Sequence, residues 1–437
     1  MEAGLKKELK NIYHKSPLLF RIDKGIFRIM SGVKKAFKKS ADDKVSNRPD
    51  IHSISELLGY LSDSDSTIYG KEIIEGYEED VDKTILLVSH ELSLTGAPIV
   101  LLRMAESLKR RGYQVIIICG LDGERFSEHS VQMGIPVIYY PDFLHLDMIL
   151  SIRKQFSKII VNTIKCAPII NLLNSTDSLV LWWIHEAGDS YKRGSAKEMP
   201  REVASNIHIY SAGEYAGKML ISRFPRYKVK NLMYSVPDLA RFSDGSDFHI
   251  DIPDKKVFAL SGTVQYRKGQ DVLKSAIERL PDKVREGCFF LFVGMGYDAG
   301  ITNGLKELTK KYPGNVLYKD EIKLNDMYKL YNDIDFLVCA SRDDPVPGVV
   351  AEAMSLGKPC ICSEFAGAAS VIEKYKSGLV YRRNSATALA RMIEGVYSQN
   401  DGEFKEMSKN ARRAYEQVFS EVVFEKKLDK CLKQIEK

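Results

Sequence analysis

The 437-residue sequence contains no apolar run approaching the ~18–20 residues that cross a bilayer. Its basic beginning lacks the apolar core of a signal peptide. Both absences lead to the expectation of a cytoplasmic protein. Cysteine is sparse and its spacing is uninformative: there are seven, an odd number. Cys119, Cys288, Cys339, Cys360 and Cys362 fall inside apolar runs and read as reduced core thiols. Cys360 and Cys362 share a strand face, but no second pair complements them as zinc ligands. No nucleic-acid-binding motif accompanies the basic charge, so no nucleic acid partner is expected.

What is present is ordinary for a globular chain, with 44% hydrophobic and 28% charged residues. The length suits two or three domains. The charge is unevenly placed. Residues 1–48 hold thirteen Lys/Arg and five Asp/Glu, a net +8, while the whole chain is +6 and the remainder therefore −2. Within this arm Leu19, Ile22, Ile26, Ile29, Val33 and Phe37 follow helical spacing, with Arg21, Lys24, Arg28, Lys35 and Lys38 on other faces. Two readings fit a basic amphipathic helix: it lies on an anionic membrane surface, or it packs on this protein's own body or a protein partner. Residues 49–80 are polar and acidic and read as a linker or short helices.

From Thr84 the pattern alternates between short apolar runs and helical periodicity. Strands are expected at 84–90, 114–120, 136–140, 158–163, 178–185, 207–212 and 229–234, with a helix from Gly96 to Arg111 after the first. Pro237 to Lys255 reads as an interdomain linker. A second alternation gives strands at 257–262, 288–294, 315–320, 335–340, 359–364 and 378–381. The reading is α/β, with two Rossmann-like, doubly wound domains facing a central cleft, behind a basic helical N-terminal arm. The expected boundaries are 1–80 for arm and linker, 81–240 for the first domain, 241–256 for the linker, 257–420 for the second domain, and 421–437 for a last helix.

The central stretch is SRDDPVPGVVAEAMSLGKP, Ser341 to Pro359. A buried strand leads into it and an amphipathic helix follows, with Val349, Ala353 and Leu356 on one face. With Pro347 early in that helix, Glu352 lies about 7–8 Å further along the axis at ~1.5 Å per residue. Asp344 sits in the turn. Two carboxylates so placed, with the N–H groups of Gly348 and Val349 between them, suit a ligand with hydroxyls at both ends and an anion in the middle. A nucleotide sugar is such a ligand.

Other loops add to this. Thr95-Gly96-Ala97-Pro98 puts glycine at a helix start, where a ligand can approach the backbone. His185 and Glu186 end the strand WWIHE, where sites form in open α/β sheets. Arg267 and Lys268, in GTVQYRKGQD, place two cations where a diphosphate leaving group would need them. Gly294 begins a tight strand exit, VGMGYD. Ala366, Gly367 and Ala368 offer further backbone donors to phosphate. For each motif a structural role competes: a core histidine, a helix-start acid, a turn glycine.

The spacing Asp344, seven residues, Glu352, on a loop entering a helix, resembles the signature of glycosyltransferase family 4 (glycosyl transferases group 1), retaining enzymes of GT-B fold. The commonest family form has Glu at the first place. The resemblance covers roughly Thr84 to the C-terminus. It implies that His185 and Asp344 face the transferred sugar. It implies that Gly96, Arg267, Lys268, Gly294, Pro347, Gly348, Val349 and Glu352 bind the donor, with Glu352 on the ribose. Family members often carry Arg directly after the glycine of the Gly262 loop; here that place is Thr263, and Arg267-Lys268 matches a subset. Glu321 and Ile322 fall where relatives often read the base. The last helix is expected to cross back to the first domain.

The implied activity is transfer of a sugar from a nucleoside diphosphate sugar to a hydroxyl of a glycan or lipid-linked glycan. No metal and no cofactor are expected. The arm points to work at the inner membrane face on a bacterial surface polysaccharide. Asp63-Ser-Asp65 mimics the metal-binding motif of another glycosyltransferase fold, but it lacks a buried strand before it and reads as solvated surface. A non-catalytic GT-B subunit that binds glycan or stabilises a partner transferase is the alternative. An epimerase or phosphorylase on the same fold fits the acid spacing less well.

Overall fold

The computed structural model describes residues 51–436 apart from residues 94–95, 122–124, 142, 146, 189, 193, 242–249, 321, 323 and 383. The basic arm, Thr95, Glu321 and the centre of the expected linker lie outside the described residues. No helix among them is long and apolar enough to cross a membrane.

Among the described residues, fourteen strands form two sheets. The first holds β1 (Thr67–Tyr69), β2 (Thr84–Ser89), β3 (Gln114–Cys119), β4 (Val137–Tyr139), β5 (Lys158–Asn162), β6 (Val180–Ile184), β7 (Ile207–Ser211) and β8 (Val229–Asn231). Their order is β1-β4-β3-β2-β5-β6-β7-β8, and all pairs are parallel except the antiparallel β1–β4 pair. The second sheet holds β9 (Lys256–Ser261), β10 (Cys288–Val293), β11 (Val316–Lys319), β12 (Phe336–Cys339), β13 (Cys360–Ser363) and β14 (Gly378–Tyr381). It is parallel throughout, in the order β11-β10-β9-β12-β13-β14.

Helices cover both faces of each sheet, so the strands are apolar throughout rather than alternating. In β2, Ile85 and Leu87 pack with Val100, Leu101 and Leu108 of the Gly96–Arg110 helix, while Leu86 and Val88 join Ile149 and Ile170 on the other face. All seven cysteines are buried, and none is joined in a disulfide. Cys339 and Cys362 face one another in register across β12 and β13.

Residues 51–80, read from sequence as linker or short helices, hold helices and more. Ser53 caps the Ile54–Ser62 helix by accepting from the Glu56 N–H, and β1 extends the first sheet as an edge strand. Asp63 and Asp65 are exposed.

The chain crosses between the domains twice, and the crossings are tied together. Arg412 forks onto both oxygens of Asp238 at 2.6 and 2.8 Å, and the Tyr415 hydroxyl donates to the Val236 carbonyl at 2.8 Å. The last helix, Glu421–Ile435, then lies on the first domain, with Phe424 stacked on Trp183 and Arg111 donating to Asp429.

Candidate functional site

In each sheet the strand order reverses beside a central strand: between β2 and β5 in the first, and between β9 and β12 in the second. Crevices at the carboxyl ends of such strands are where ligands bind in open α/β sheets. The Gly96 loop follows β2, the Arg267-Lys268 loop follows β9, and Asp344 follows β12. These loops meet around a cavity of about 260 Å³, lined among others by Gly96, His185, Glu186, Arg267, Asp343 and Asp344.

Asp344 is only 5% exposed. Its carboxylate accepts from the Lys268 ammonium at 2.6 Å, with Arg267 at 3.6 Å and the Ser341 hydroxyl at 3.4 Å. Its backbone is equally fixed: the Asp344 N–H donates to the Phe365 carbonyl and the Asp344 carbonyl accepts from the Gly367 N–H at 2.7 Å. Arg267 and Lys268 form one 3-10 turn, and Gly269, at φ +73°, then turns the chain into the Gln270–Ile277 helix. A side chain on Gly269 would meet the Ala340 carbonyl oxygen at 2.0 Å. The two cations therefore precede the helix rather than begin it, and Arg267 also donates to the Asp343 carbonyl at 2.8 Å.

His185 follows β6, with its ring 4.4 Å from that of Trp183. Its Nε2 is shielded from water and has no hydrogen-bond partner among the described residues. Burial depresses its pKa to about 3, so the imidazole is neutral. Glu186 beside it has its pKa raised by burial to about 7, although the N–H groups of Ile164 and His185 donate to its two oxygens at 3.2 and 3.1 Å. The Ile164 contact depends on Thr163, which holds a positive φ of 71° where a side chain is strained. Thr163 is kept there by the Trp182 indole donating to its carbonyl at 2.9 Å and its own N–H donating to the Trp183 carbonyl at 2.8 Å.

The helix carrying the second acid runs Gly348–Ser355. Pro347 stands just before it as the cap, with no side-chain hydrogen bond, so the Gly348 and Val349 N–H groups have no intrahelical partner. The buried residues are Val350, Ala351, Ala353, Met354 and Ser355, rather than the face Val349, Ala353 and Leu356: Val349 and Leu356 are only partly buried. Apolar residues surround most of this short helix, so periodicity alone could not select its inner face. Glu352 accepts from the Tyr331 hydroxyl at 3.0 Å, and burial raises its pKa against the opposing effects of that hydrogen bond and of the Arg103 guanidinium.

The structure thus gathers Gly96, His185, Arg267 and Asp344 around one cavity, with Lys268 held against Asp344. Pro347, Gly348, Val349 and Glu352 lie along the adjoining helix, outside that lining. Gly294, at φ +151°, packs one strand exit on another: a side chain there would meet the Gly262 carbonyl oxygen at 2.1 Å. The expected phosphate donors at Ala366 and Gly367 are already used, since their N–H groups donate to Ser363 and Asp344 carbonyls. Asp343, Tyr215, Tyr234 and Tyr331 were not singled out by sequence. Tyr215 donates to Asp343 at 3.2 Å and Tyr234 to the Val346 carbonyl. The three tyrosines come from distant segments, and no local pattern marks them; Asp343 stands beside Asp344 but outside the spaced pair of acids.

Comparison with known proteins agrees with this geometry. The family model described as "Glycosyl-transferase family 4" matches residues 81–212, and "Glycosyl transferases group 1" matches residues 246–414. YtcC of Bacillus subtilis (strain 168) is 25% identical over 239 residues, 50% of this chain and 58% of its own length. Spore coat protein SA of the same organism is 25% identical over 264 residues, 56% of this chain and 69% of its own. The chain thus spans only part of these relatives. Among solved structures, a glycosyltransferase of Rickettsia africae superposes with a TM-score of 0.66 at 18% identity, covering 81% of this chain and 98% of that one. HepE of Anabaena, solved with UDP, also gives 0.66, at 17% identity, covering 80% and 100%. These likenesses identify the fold as GT-B. The chain belongs to the family 4, group 1 glycosyltransferases.

Proposed function

We propose that this chain is a retaining glycosyltransferase that moves a sugar from a nucleoside diphosphate sugar, a UDP-sugar in the first instance, to an acceptor hydroxyl. The observation that carries the reading is the convergence of Lys268, Arg267 and Asp344 beside the open start of the Gly348–Ser355 helix. HepE of Anabaena, of the same fold, has been solved with UDP-glucose.

In this reading the diphosphate lies between the two cations and the Gly348 and Val349 N–H groups. Charge builds on it as the glycosidic bond breaks, and fixed positive groups stabilise that charge most in the transition state. Lys268 and Arg267 take the part a divalent ion plays elsewhere, so transfer proceeds without metal. Glu352, steadied by Tyr331, accepts from the ribose hydroxyls. Asp344 accepts from hydroxyls of the donor sugar, and the neutral His185 faces the same sugar with its unpartnered Nε2. The acceptor oxygen attacks on the face that the diphosphate leaves, and the departing phosphate takes the acceptor proton. The acceptor is a glycan or lipid-linked glycan of a bacterial surface polysaccharide, and the arm holds the enzyme on the inner membrane face.

Incubation with UDP-, GDP-, ADP- and dTDP-sugars and a panel of glycoside acceptors tests this, with the product anomer read by NMR. Retained configuration is expected. Only the opposite anomer would defeat the stereochemical part, and donor binding without any turnover would favour a non-catalytic subunit.

A further inference from the structure

A second cavity, of about 430 Å³, lies on the first domain beside the one already described. It is lined by Gly188, Tyr191, Ala196, Lys197, Met219, Ser222 and Arg223. The two cavities share a wall: Tyr191, which lines the second, donates its hydroxyl to the carbonyl of Glu186, which lines the first, at 3.2 Å.

The second cavity is cationic. Lys197 and Arg223 are exposed at its rim, and neither has a carboxylate partner among the described residues. The surrounding chain carries the same sign. Residues 190–230 hold nine Lys/Arg and three Asp/Glu, a net +6, within a body (residues 49–437) whose net charge is −2. Among the described residues, Arg226 pairs with Glu202 and Lys218 lies 3.9 Å from Glu214. The remaining walls are apolar: Tyr191 is buried, and Met219 and Ala196 are half-buried. Uncompensated cations around a concave, partly apolar floor attract an anion joined to a carbon skeleton.

We propose that this cavity is the subsite for a phosphate group carried by the acceptor, placed so that the acceptor's hydroxyl reaches the cavity of His185 and Asp344. The inference rests on the glycosyltransferase reading and adds to it the chemical class of acceptor. Lys197 and Arg223 take the phosphate oxygens, Ser222 adds a hydroxyl donor, and Tyr191 and Met219 carry the adjoining carbon atoms. A phosphosugar and a polyprenyl phosphate present the same group.

The test uses the full-length protein, saturated with UDP so that Lys268 and Arg267 are occupied. Inorganic phosphate and glucose 6-phosphate are titrated calorimetrically, and vesicles of phosphatidylcholine with and without polyprenyl phosphate are tested by flotation. Wild type and Lys197→Ala/Arg223→Ala are compared, each with its own UDP affinity as the control. The expected result is saturable phosphate binding that falls at least about tenfold in the double variant, with UDP binding unchanged. A variant-sensitive response to glucose 6-phosphate alone assigns a soluble acceptor, and one to polyprenyl phosphate alone a lipid-linked one. No saturable binding of inorganic phosphate, glucose 6-phosphate or polyprenyl phosphate by wild type, or equal binding by the variant, overturns the proposal. Failure to bind UDP, with phosphate binding intact and variant-sensitive, would instead strike at the donor reading and leave the anion subsite standing.

Discussion

Lys268 and Asp344 close on one another at 2.6 Å across the floor of the cleft, and Asp344 is nearly fully buried there. In the proposed reading, the cation assigned to the diphosphate and the carboxylate assigned to the sugar thus hold each other in place before a donor binds.

Breaking this pair from either end should give different results. Lys268→Ala leaves Asp344 buried with Arg267 at 3.6 Å as its nearest remaining cation and the Ser341 hydroxyl at 3.4 Å, and should cost about 2–3 kcal/mol of stability. Asp344→Asn frees Lys268, so UDP should bind as well or better while sugar transfer falls by about 100-fold. Thermal unfolding and UDP titration of both variants, with the double variant closing the cycle, measure the coupling.

Glu186 gives a pH signature. Burial raises its pKa from an ordinary 4.5 to about 7. Between those values the folded protein holds a proton that the unfolded chain has lost. This stabilisation is therefore full below about pH 4.5 and is lost as pH rises through 7. Glu186→Gln removes the dependence. Its stability relative to wild type should climb across that window by up to about 3 kcal/mol, read from denaturant unfolding at successive pH values.

Tyr331→Phe deletes the hydroxyl that donates to Glu352 at 3.0 Å. That hydrogen bond opposes the upward shift caused by burial, so the variant's carboxyl should protonate more readily. A protonated Glu352 accepts less well from ribose. UDP affinity of the variant should therefore drop more steeply than wild type as pH is lowered, in a titration series from mildly alkaline to mildly acidic buffer.

Gly294→Ala should fail structurally rather than chemically. Its φ of +151° and the 2.1 Å approach to the Gly262 carbonyl oxygen leave no room for a methyl group. A loss of about 2 kcal/mol or more is expected in denaturant unfolding, since both partners are backbone and cannot yield as a side chain would.

Much of this was legible in the sequence because strands covered on both faces are uninterrupted apolar runs. From β2 onward, the runs at 84–90, 114–120 and 288–294 needed only their last residue trimmed. The exception was β1: three residues, half exposed, between a Ser/Asp-rich stretch and a glycine, carry no strand signal, and only their pairing with β4 defines them. In the site, the residues that announce themselves lie on strand-exit loops and in a spaced motif. Those that steady them were hidden. Tyr331 lies 21 positions before Glu352, and Tyr215 lies 128 before Asp343. Such pairs exist only once the sheets bring their loops together. The engagement of the Gly367 N–H by Asp344 is another tertiary fact, invisible in a run of small residues.

The most direct test is binding of UDP and UDP-sugars to the purified full chain, with Glu352→Ala alongside. The account predicts saturable binding that stabilises wild type against thermal unfolding and is weakened at least about tenfold in the variant. A folded protein that binds no nucleoside diphosphate or its sugars, or a variant that binds them as tightly as wild type, would contradict it.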